Sequence, residues 1–510
     1  MERRALLAVI LSILVIFSWS SLMNKQQPLE PQGVTQKIPL AEELSPSPPR
    51  VKKESLATAL PEPDVSTLLH HTQEELDLIF VEPLATIKEA IFKEYQNDTL
   101  GLANAFLITD PALIFNKESF NTQTATFIHE DSQKVIQKRF FFSNYSYTIE
   151  LELVVSNISK EPIVFDPTFI IGTIDFARDD PDARFKDMTI ALGGTLLHPN
   201  GRKSYRAEDI KFVGLRNRYF CLVAEPAQHI YSAFIRKNSS NSSELGLQAP
   251  KQTINPGASF SENFHIYLGP QDLEKIKQVK PEWGGVMYFG KLNYVSHILL
   301  KLLRFIFNIV GNWGVAILIV SLLIYFLLYP LSLQQMRSMK AMQALQPLTE
   351  ELRAKYKDNP QKLNVEIMNL YREHKVNPFG GCLPLILQFP VFIALYLALI
   401  RSVALKGANF LWIKDLSAPD RLFILPQALP IIGNEINILP LLMMAGMFFQ
   451  QKISAVRTSG STAEQQKIMM IVFPLMFGYI FYHMPSGLVL YWFTNSTLML
   501  LQQLRLKKAG

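Results

Sequence analysis

The side chains that could do chemistry inside the apolar parts of this chain are polar but uncharged. Gln388 lies within the apolar stretch 377–400, NPFGGCLPLILQFPVFIALYLALI. The stretch is long enough to cross a bilayer, because about 20 helical residues cover the roughly 30 Å hydrocarbon core. Pro384 and Pro390 interrupt its backbone hydrogen bonds, which membranes tolerate only where neighbouring groups replace them. Two interpretations stay open here: a kinked span inside a helical bundle, or a helix that lines a polar cavity.

Further candidates of the same type lie on two other apolar runs. Ser321 and Tyr325 are four residues apart and share one helix face, and Asn495 lies in the last run. No run carries a charged or histidine side chain deep in its interior. Proton-coupled pumps, voltage sensors and metalloproteases need such groups despite an insertion cost of roughly 2.5–3.5 kcal/mol each. P-loop, HExxH and GxSxG motifs are also missing, so we expect no catalytic residue, metal, cofactor or enzymatic activity.

Titratable residues concentrate at two other places, in neither case with the spacing of a metal or acid–base site. Both are interpreted as solvated loops. Cys221 lies in the polar half and Cys382 in an apolar run, so an internal disulfide is not expected. The two concentrations are Asp175, Asp179, Asp180 and Asp182, and the pair His70–His71.

The composition indicates a soluble domain joined to a membrane domain. The chain has 510 residues, and its mean hydropathy is only +0.13. Its net charge of +6 could suggest a nucleic-acid partner. Lys and Arg instead flank the apolar runs in short segments, as topology signals do, so no reading of nucleic acid is expected.

The N-terminal region contains a basic start followed by an apolar run, Ala5–Leu22. Such a run is either a cleaved signal peptide or a retained anchor. Because Ser18-Trp19-Ser20 is a poor cleavage site, we favour an anchor over residues 1–25. Residues 26–63 are rich in Pro, Glu, Gln and Ser and are predicted to be a tether.

Residues 64–280 are predicted to form an exported all-β domain of the sandwich type. In Asn144–Val155 apolar and polar residues alternate with period two, which places one face on a core. Residues 281–310 are expected to be a linker and an amphipathic helix in the membrane interface. The apolar side of that helix is predicted to carry Leu299, Leu302, Leu303, Ile306 and Ile309.

Residues 311–510 are predicted to form a five-span helical membrane core. The segment 334–376 is polar, has helical periodicity and carries a surplus of Lys and Arg, which indicates a cytoplasmic helical hairpin. The same rule places both termini in the cytoplasm. The predicted spans are about 312–332, 379–404, 434–451, 467–484 and 487–504.

Three segments carry a resemblance to a known family. They are GNWGVAILIV with LLYPLSLQQMRSMKAMQALQP, then HKVNPFGGCLPLILQFPVFIALY, then PSGLVLYWFTNS. Together with the order of parts, they resemble the YidC/Oxa/Alb family of bacterial inner-membrane insertases. The resemblance implies a multi-pass protein of a Gram-negative inner membrane, with a large periplasmic β-supersandwich similar in fold to sugar-processing enzymes. It also implies a hydrophilic groove open to cytoplasm and lipid but closed to the outside.

The resemblance also suggests roles for individual residues. At Tyr325 the sequence departs from the family, whose groove carries an arginine there, and Trp492 replaces a tyrosine of close relatives. We expect a groove that attracts acidic segments less strongly. The expected groove residues are Ser321, Tyr325, Gln388 and Asn495, and the expected contacts to a client helix are Phe392, Met443 and Trp492.

The function that the resemblance implies is insertion and folding of inner-membrane proteins without nucleotide hydrolysis, alone or with the Sec translocon. The implied partners are nascent membrane proteins, the Sec translocon, membrane lipids, and a ribosome or targeting receptor at the hairpin. A small-solute transporter is an alternative, but such proteins often contain internal repeats and none is evident. A membrane-anchored periplasmic sugar enzyme would leave the later spans unexplained.

Overall fold

The computed structural model describes residues 68–508 except 111–112, 144–146, 178–179, 181, 200–202, 240, 358, 375, 377–382, 430–432 and 455–460. The predicted anchor 1–25 and tether 26–63 lie outside the described residues, as do Asp179 and Cys382. Among the described residues, 68–454 and 470–508 belong to one compact unit.

Residues 68–270 form antiparallel sheets, so the prediction of a large all-β domain is confirmed. Thirteen strands form the main sheet, whose central path runs β5-β11-β17-β16-β14-β15-β19-β9-β8-β7-β6, with β12 and β13 attached at β14. Strands β1 to β4 form a second sheet, and β10 pairs with β18. The strands are β1 Leu68–Thr72, β2 Leu76–Val81, β3 Thr86–Phe92, β4 Asp98–Ala105, β5 Leu107–Ile108, β6 Asn116–Phe120, β7 Thr124–Glu130, β8 Lys134–Phe142, β9 Thr148–Asn157, β10 Ile163–Phe165, β11 Thr168–Asp175, β12 Asp187–Leu192, β13 Leu196–Leu197, β14 Tyr205–Arg216, β15 Phe220–Pro226, β16 Tyr231–Lys237, β17 Ser242–Gln248, β18 Gln252–Ile254 and β19 Ser259–Pro270.

Strand β9 shows why the sequence folds this way. Ile149, Leu151, Leu153 and Val155 are buried, and the residues between them are at least partly exposed. The strand pairs with β8 on one side and β19 on the other, which fixes its register. A slip by one residue would turn this apolar row to the solvent, so the period of two specifies the pairing.

The pair His70–His71 corrects one prediction, because it lies in β1 and not in a solvated loop. His71 is buried, and its ring stacks on Phe142 with the centroids 3.6 Å apart. Burial lowers the pKa of His71, which therefore serves as a neutral core residue.

Lys138 on β8 is a fully buried lysine without an acidic partner among the described residues. Its Nζ donates to the carbonyl oxygens of Ala85 at 3.1 Å and Phe106 at 2.7 Å. Both acceptors have a left-handed backbone, with φ of 48° and 65°. The lysine therefore ties two strained turns to the main sheet, and burial lowers the pKa of Lys138 to about 7.

We expect Lys138 to make the β domain more stable as pH rises. An unfolded lysine titrates near about 10.4, so between pH 7 and 10 only the unfolded chain binds this proton. The free energy of unfolding then rises by up to about 1.4 kcal/mol per pH unit. Fragment 64–292, whose single tryptophan is the buried Trp283, reports unfolding by fluorescence. Between pH 7 and 10, the free energy of unfolding should rise more steeply for the wild type than for Lys138→Met. Parallel pH profiles of the two proteins would contradict the prediction.

A connector leads from the β domain to the helical region. Helix α1 is Leu273–Val279, with Asp272 as its N-cap, and is followed by 3-10 turns. Helix α2 is Asn293–Val310. Leu299, Leu303 and Ile306 of α2 are buried as predicted, but Ile309 is exposed, because the buried face ends one turn before the end of the helix.

The helical region differs from the predicted core in two places. Helix α3 continues through Pro330 to residue 344, so that the predicted span and the first part of the hairpin are one helix. An unpredicted hairpin of β20, Phe423–Leu429, and β21, Gly433–Ile436, precedes α7. The helices are α3 Trp313–Ala344, α4 Gln346–Lys355, α5 Pro360–Glu373, α6 Leu383–Ile400, α7 Ile438–Ser454, α8 Ser461–Tyr482 and α9 Ser486–Lys508.

Two helices in the described part of the chain, Gly290–Val310 and Trp313–Ala344, are apolar and long enough to cross a membrane. Three shorter apolar helices follow at Gln388–Ile400, Ile438–Ile453 and Met470–Tyr482. The five-span topology therefore stays a prediction.

Candidate functional site

Two polar stripes face each other on helices α3 and α9. Tyr325 of α3 donates its hydroxyl to Oε1 of Gln502 on α9 at 3.0 Å. Ser321 and Ser332 lie on the same face of α3 as Tyr325, and Asn495 lies on the same face of α9 as Gln502, because these spacings are close to whole helical turns. The contact joins stripes that are 177 residues apart in sequence.

The predicted groove residues occupy the interior of the helix bundle. Ser321, Gln388 and Asn495 are buried, with Gln388 8% exposed, whereas Tyr325 is half-buried. Ser321 Oγ donates to the carbonyl oxygen of Ile317 at 2.7 Å. A serine hydroxyl that donates to the carbonyl oxygen one turn earlier in its own helix needs no partner from another helix.

Tyr491 brings two of the predicted residues together. Its side chain is fully buried beside those of Gln388 on α6 and Asn495 on α9, and its hydroxyl makes no hydrogen bond to a described residue. The Asn495 amide also donates to the Tyr491 carbonyl oxygen at 3.1 Å. The Gln388 amide is thus part of a polar cluster and not an isolated group in an apolar span.

Besides the Tyr491 hydroxyl, two buried polar atoms of this region have no hydrogen-bond partner in the described part of the chain: Gln502 Nε2 and Ser332 Oγ. A buried unpaired polar group costs about 1–3 kcal/mol, so both atoms favour water or a polar group of a bound chain. Neither residue was among the sequence-predicted site residues. The signal that identifies Gln502 is its spacing of seven residues from Asn495, and for Ser332 it is the spacing of seven from Tyr325.

Aromatic side chains form the apolar part of the site. The Phe392 and Trp492 rings meet edge to face with centroids 4.9 Å apart. Phe481 of α8 lies 5.8 Å from Phe392 and 5.2 Å from Trp492, and Phe477 lies 5.6 Å from Trp492. The sequence prediction missed Phe477 and Phe481, although their spacing of four places them on one helix face.

Met443 differs from these aromatic residues in its burial. Its side chain on α7 is fully buried in the helical core, so a client could touch it only after a helix moves. The other two predicted client contacts, Phe392 and Trp492, are only partly buried.

The chemistry available at the site is neutral solvation. Within the described residues no group of three or more His, Cys, Asp or Glu could hold a metal ion. Hydroxyl and amide groups on α3, α6 and α9 can replace water around a peptide backbone, and the aromatic rings can cover an apolar side chain.

Two family models match the chain: one described as 60Kd inner membrane protein, over residues 305–510, and one described as YidC periplasmic domain, over residues 114–302. A Pelobacter propionicus protein named membrane protein insertase YidC is 32% identical, over 100% of this chain and 99% of the relative. A Chlorobium phaeovibrioides protein of the same name is 37% identical, over 76% of this chain and 69% of its own. A solved structure, described as an active YidC insertase with its first transmembrane domain resolved, has 19% identity and a TM-score of 0.41, covering 86% of this chain and 92% of that one.

Proposed function

This chain belongs to the YidC family of membrane protein insertases, and from that premise we propose that it inserts nascent proteins through the polar cluster between α3, α6 and α9. The observation that carries the proposal is the alignment of buried, uncharged polar side chains on helices that meet in one bundle. Clients in this proposal are membrane proteins of the bacterial inner membrane, and no nucleotide is hydrolysed.

Solvation explains how such a cluster would work. A polar segment that crosses hydrocarbon loses the water around its backbone, which costs several kcal/mol for each group left unpaired. Gln388, Asn495 and the unpaired amide of Gln502 offer replacement partners along the way. The dry part of the path becomes shorter, and the barrier falls without an external energy source.

The apolar part of the client would leave by a different surface. Phe392 and Trp492 are partly exposed beside the polar cluster, so they can cover a client helix as it moves sideways into lipid. Burial of apolar surface drives that step with about 25 cal/mol per Å². Met443 would join the contact only in a more open bundle.

The hairpin of α4 and α5 is our proposed docking site for the ribosome or a targeting receptor on the cytoplasmic side. Val365 and Met368 on α5 are exposed and three residues apart, which gives an apolar strip next to basic residues. The proposal also places both chain termini in the cytoplasm and allows the chain to work alone or beside the Sec translocon.

The test is insertion by the purified full-length chain in liposomes that contain no Sec components. A small membrane protein with a short exported segment is added without nucleotide, and insertion is scored by protection from protease. Insertion above empty liposomes supports the proposal. Insertion that appears only after the Sec translocon is added would show a chaperone that depends on it.

We expect Tyr325→Arg to widen the client range in this assay. Tyr325 is the half-buried middle residue of the α3 stripe, so a cation there would attract acidic exported segments. Insertion of a client with acidic tail residues should rise about threefold to tenfold, which corresponds to about 0.6–1.4 kcal/mol. A client whose acidic residues are changed to Asn or Gln is the control. An equal gain for both clients would contradict an electrostatic cause.

A further inference from the structure

The segment 401–421, which we call the plate, connects α6 to β20 and covers the ends of several helices. Leu405, Ile413 and Leu416 of the plate are buried in the helical core. The carbonyl oxygen of Leu416 accepts from Gly487 N at the start of α9 at 2.9 Å, and Asp420 Oδ2 accepts from Leu439 N at the start of α7 at 2.6 Å.

A second attachment fixes the plate to the first long helix. Asn312 Nδ2, just before α3, donates to the Asn409 carbonyl oxygen at 3.2 Å. A Cβ added to Gly314 would meet the Phe410 ring at 2.1 Å, so Phe410 lies directly on the α3 backbone. The plate therefore holds the ends of α3, α7 and α9 together at one end of the bundle.

The β domain grips the plate through the turn between β14 and β15. Arg218 in this turn donates from Nε to the Ile400 carbonyl oxygen at 2.9 Å and from Nη2 to the Ser417 carbonyl oxygen at 3.0 Å. Tyr219 donates its hydroxyl to Ser417 Oγ at 3.2 Å. One arginine thus joins the end of α6 to the last third of the plate.

The turn itself is rigid enough to aim Arg218. Asn217 Oδ1 accepts from the backbone N–H groups of Tyr219 at 2.9 Å and Phe220 at 2.8 Å, which closes a tight side-chain turn. The Phe185 ring lies 5.3 Å from the Arg218 guanidinium on the β-domain side. A preorganised arginine loses little side-chain entropy when it binds the plate.

Two ion pairs add to the grip. Lys406 of the plate pairs with Asp98 at the start of β4, and Arg401 lies 3.4 Å from Asp187 at the start of β12. The Lys406 and Arg401 side chains are 15% and 11% exposed. Pairs that are largely shielded from water are screened less by salt than surface pairs, so they can hold two domains together.

We propose that the β domain is a clamp that keeps the plate closed over the helix ends and so seals that end of the bundle against water. The contacts that carry this inference run from Arg218, Tyr219, Asp98 and Asp187 to the plate. This role goes beyond insertion and gives the β domain a task that requires neither a client nor a ligand.

The first test compares the full-length chain with Arg218→Ala in proteoliposomes. Amide hydrogen exchange of residues 401–421 should become about tenfold faster, equivalent to about 1.4 kcal/mol of local stability, and the liposomes should lose trapped potassium ions faster. Arg236→Ala is the control, because Arg236 pairs with Glu244 on the β-domain surface and its side chain is 56% exposed. Unchanged exchange in the plate of Arg218→Ala would overturn the proposal.

A charge exchange separates a clamp from a general loss of folding. Asp98→Lys and Lys406→Asp should each speed exchange in the plate, and the double variant should restore slow exchange and ion retention. Failure of the double variant to restore either property would also overturn the proposal. Neither readout uses a client, so the result is independent of whether the chain inserts proteins.

Discussion

Replacing Gln388 by leucine is expected to reduce insertion into Sec-free liposomes at least about tenfold. Gln388 is the α6 member of the polar cluster and lies beside Tyr491, to whose carbonyl oxygen Asn495 donates. Its loss would leave a crossing polar segment without one replacement partner, and an unpaired group costs about 1–3 kcal/mol. The measurement is the initial rate of protease-protected product at equal amounts of reconstituted protein.

The matched control for this change is Gln334→Leu. Gln334 lies on α3 but is exposed, so the same chemical change there should leave the insertion rate within about twofold. A melting temperature for each purified variant shows that both retain the fold. Equal rates for Gln388→Leu and the wild type would remove α6 from the proposed path.

Replacing Arg216 by alanine is expected to lower the free energy of unfolding of fragment 64–292 by about 3–5 kcal/mol. The Arg216 side chain is 1% exposed and holds both oxygens of Asp187, at 2.5 and 2.7 Å. It also donates to the Tyr288 carbonyl oxygen at 2.6 Å, so it ties the main sheet to the connector. Without it, the carboxylate of Asp187, whose side chain is 18% exposed in the full chain, has no cationic partner among the described residues of this fragment, which also lacks Arg401.

The fragment suits this measurement because its core is nearly complete. Of the fully buried residues in the β-domain core, Val403 is the member that lies outside 64–292. Trp283 reports unfolding, since its ring is buried and its Nε1 donates to Glu225 at 2.6 Å. Arg236→Ala, at an exposed ion pair, should cost less than about 1 kcal/mol and serves as the control.

The ion pair also predicts a pH dependence. Burial alone would raise the pKa of Asp187, but the charges of Arg216 and Arg401 and the hydrogen bonds from Arg216 hold it below its usual value. The stabilisation is therefore present above the unfolded pKa and is lost as pH falls through the lower, folded pKa. Fragment 64–292 lacks Arg401 but keeps the charge and hydrogen bonds of Arg216. The difference in stability between the wild-type fragment and its Arg216→Ala variant should therefore shrink in acid, and a constant difference would contradict this account.

The β domain could be predicted from the sequence because its information is local. The alternation of apolar and polar residues along β9 indicates which face is buried, and turn residues mark the strand ends. The sheet order could not be predicted, since β9 pairs with β19 across about 110 residues and no local pattern records that choice.

Helical spacing predicts which residues of the candidate site share one face of a helix. Ser321 and Tyr325 share a face by arithmetic, and Gln502 could have been added to Asn495 by the same rule. The partner of each stripe could not be found this way, because the Tyr325–Gln502 contact depends on how the helices pack. Likewise, nothing near Arg218 in sequence points to Ser417, which is 199 residues away.

Pro330 is an exception to the rule that proline ends a helix, because α3 continues past it to residue 344. The predicted span, about 312–332, and the predicted hairpin, 334–376, divide this one helix between them. The structure instead has 32 residues in a single helix, which is about 48 Å of length at 1.5 Å per residue.

A helix of this length that contains one proline consists of two stiff segments joined at one point of easy bending. Proline has no N–H to donate, so the carbonyl oxygen of Phe326 loses its helical partner, and resistance to bending is lowest at this turn. A load applied at the α4 end of the helix would therefore swing the arm from Pro330 to Ala344 about this joint. The stretch from Trp313 to Phe326, which carries Ser321 and Tyr325, would stay in place while the arm moves.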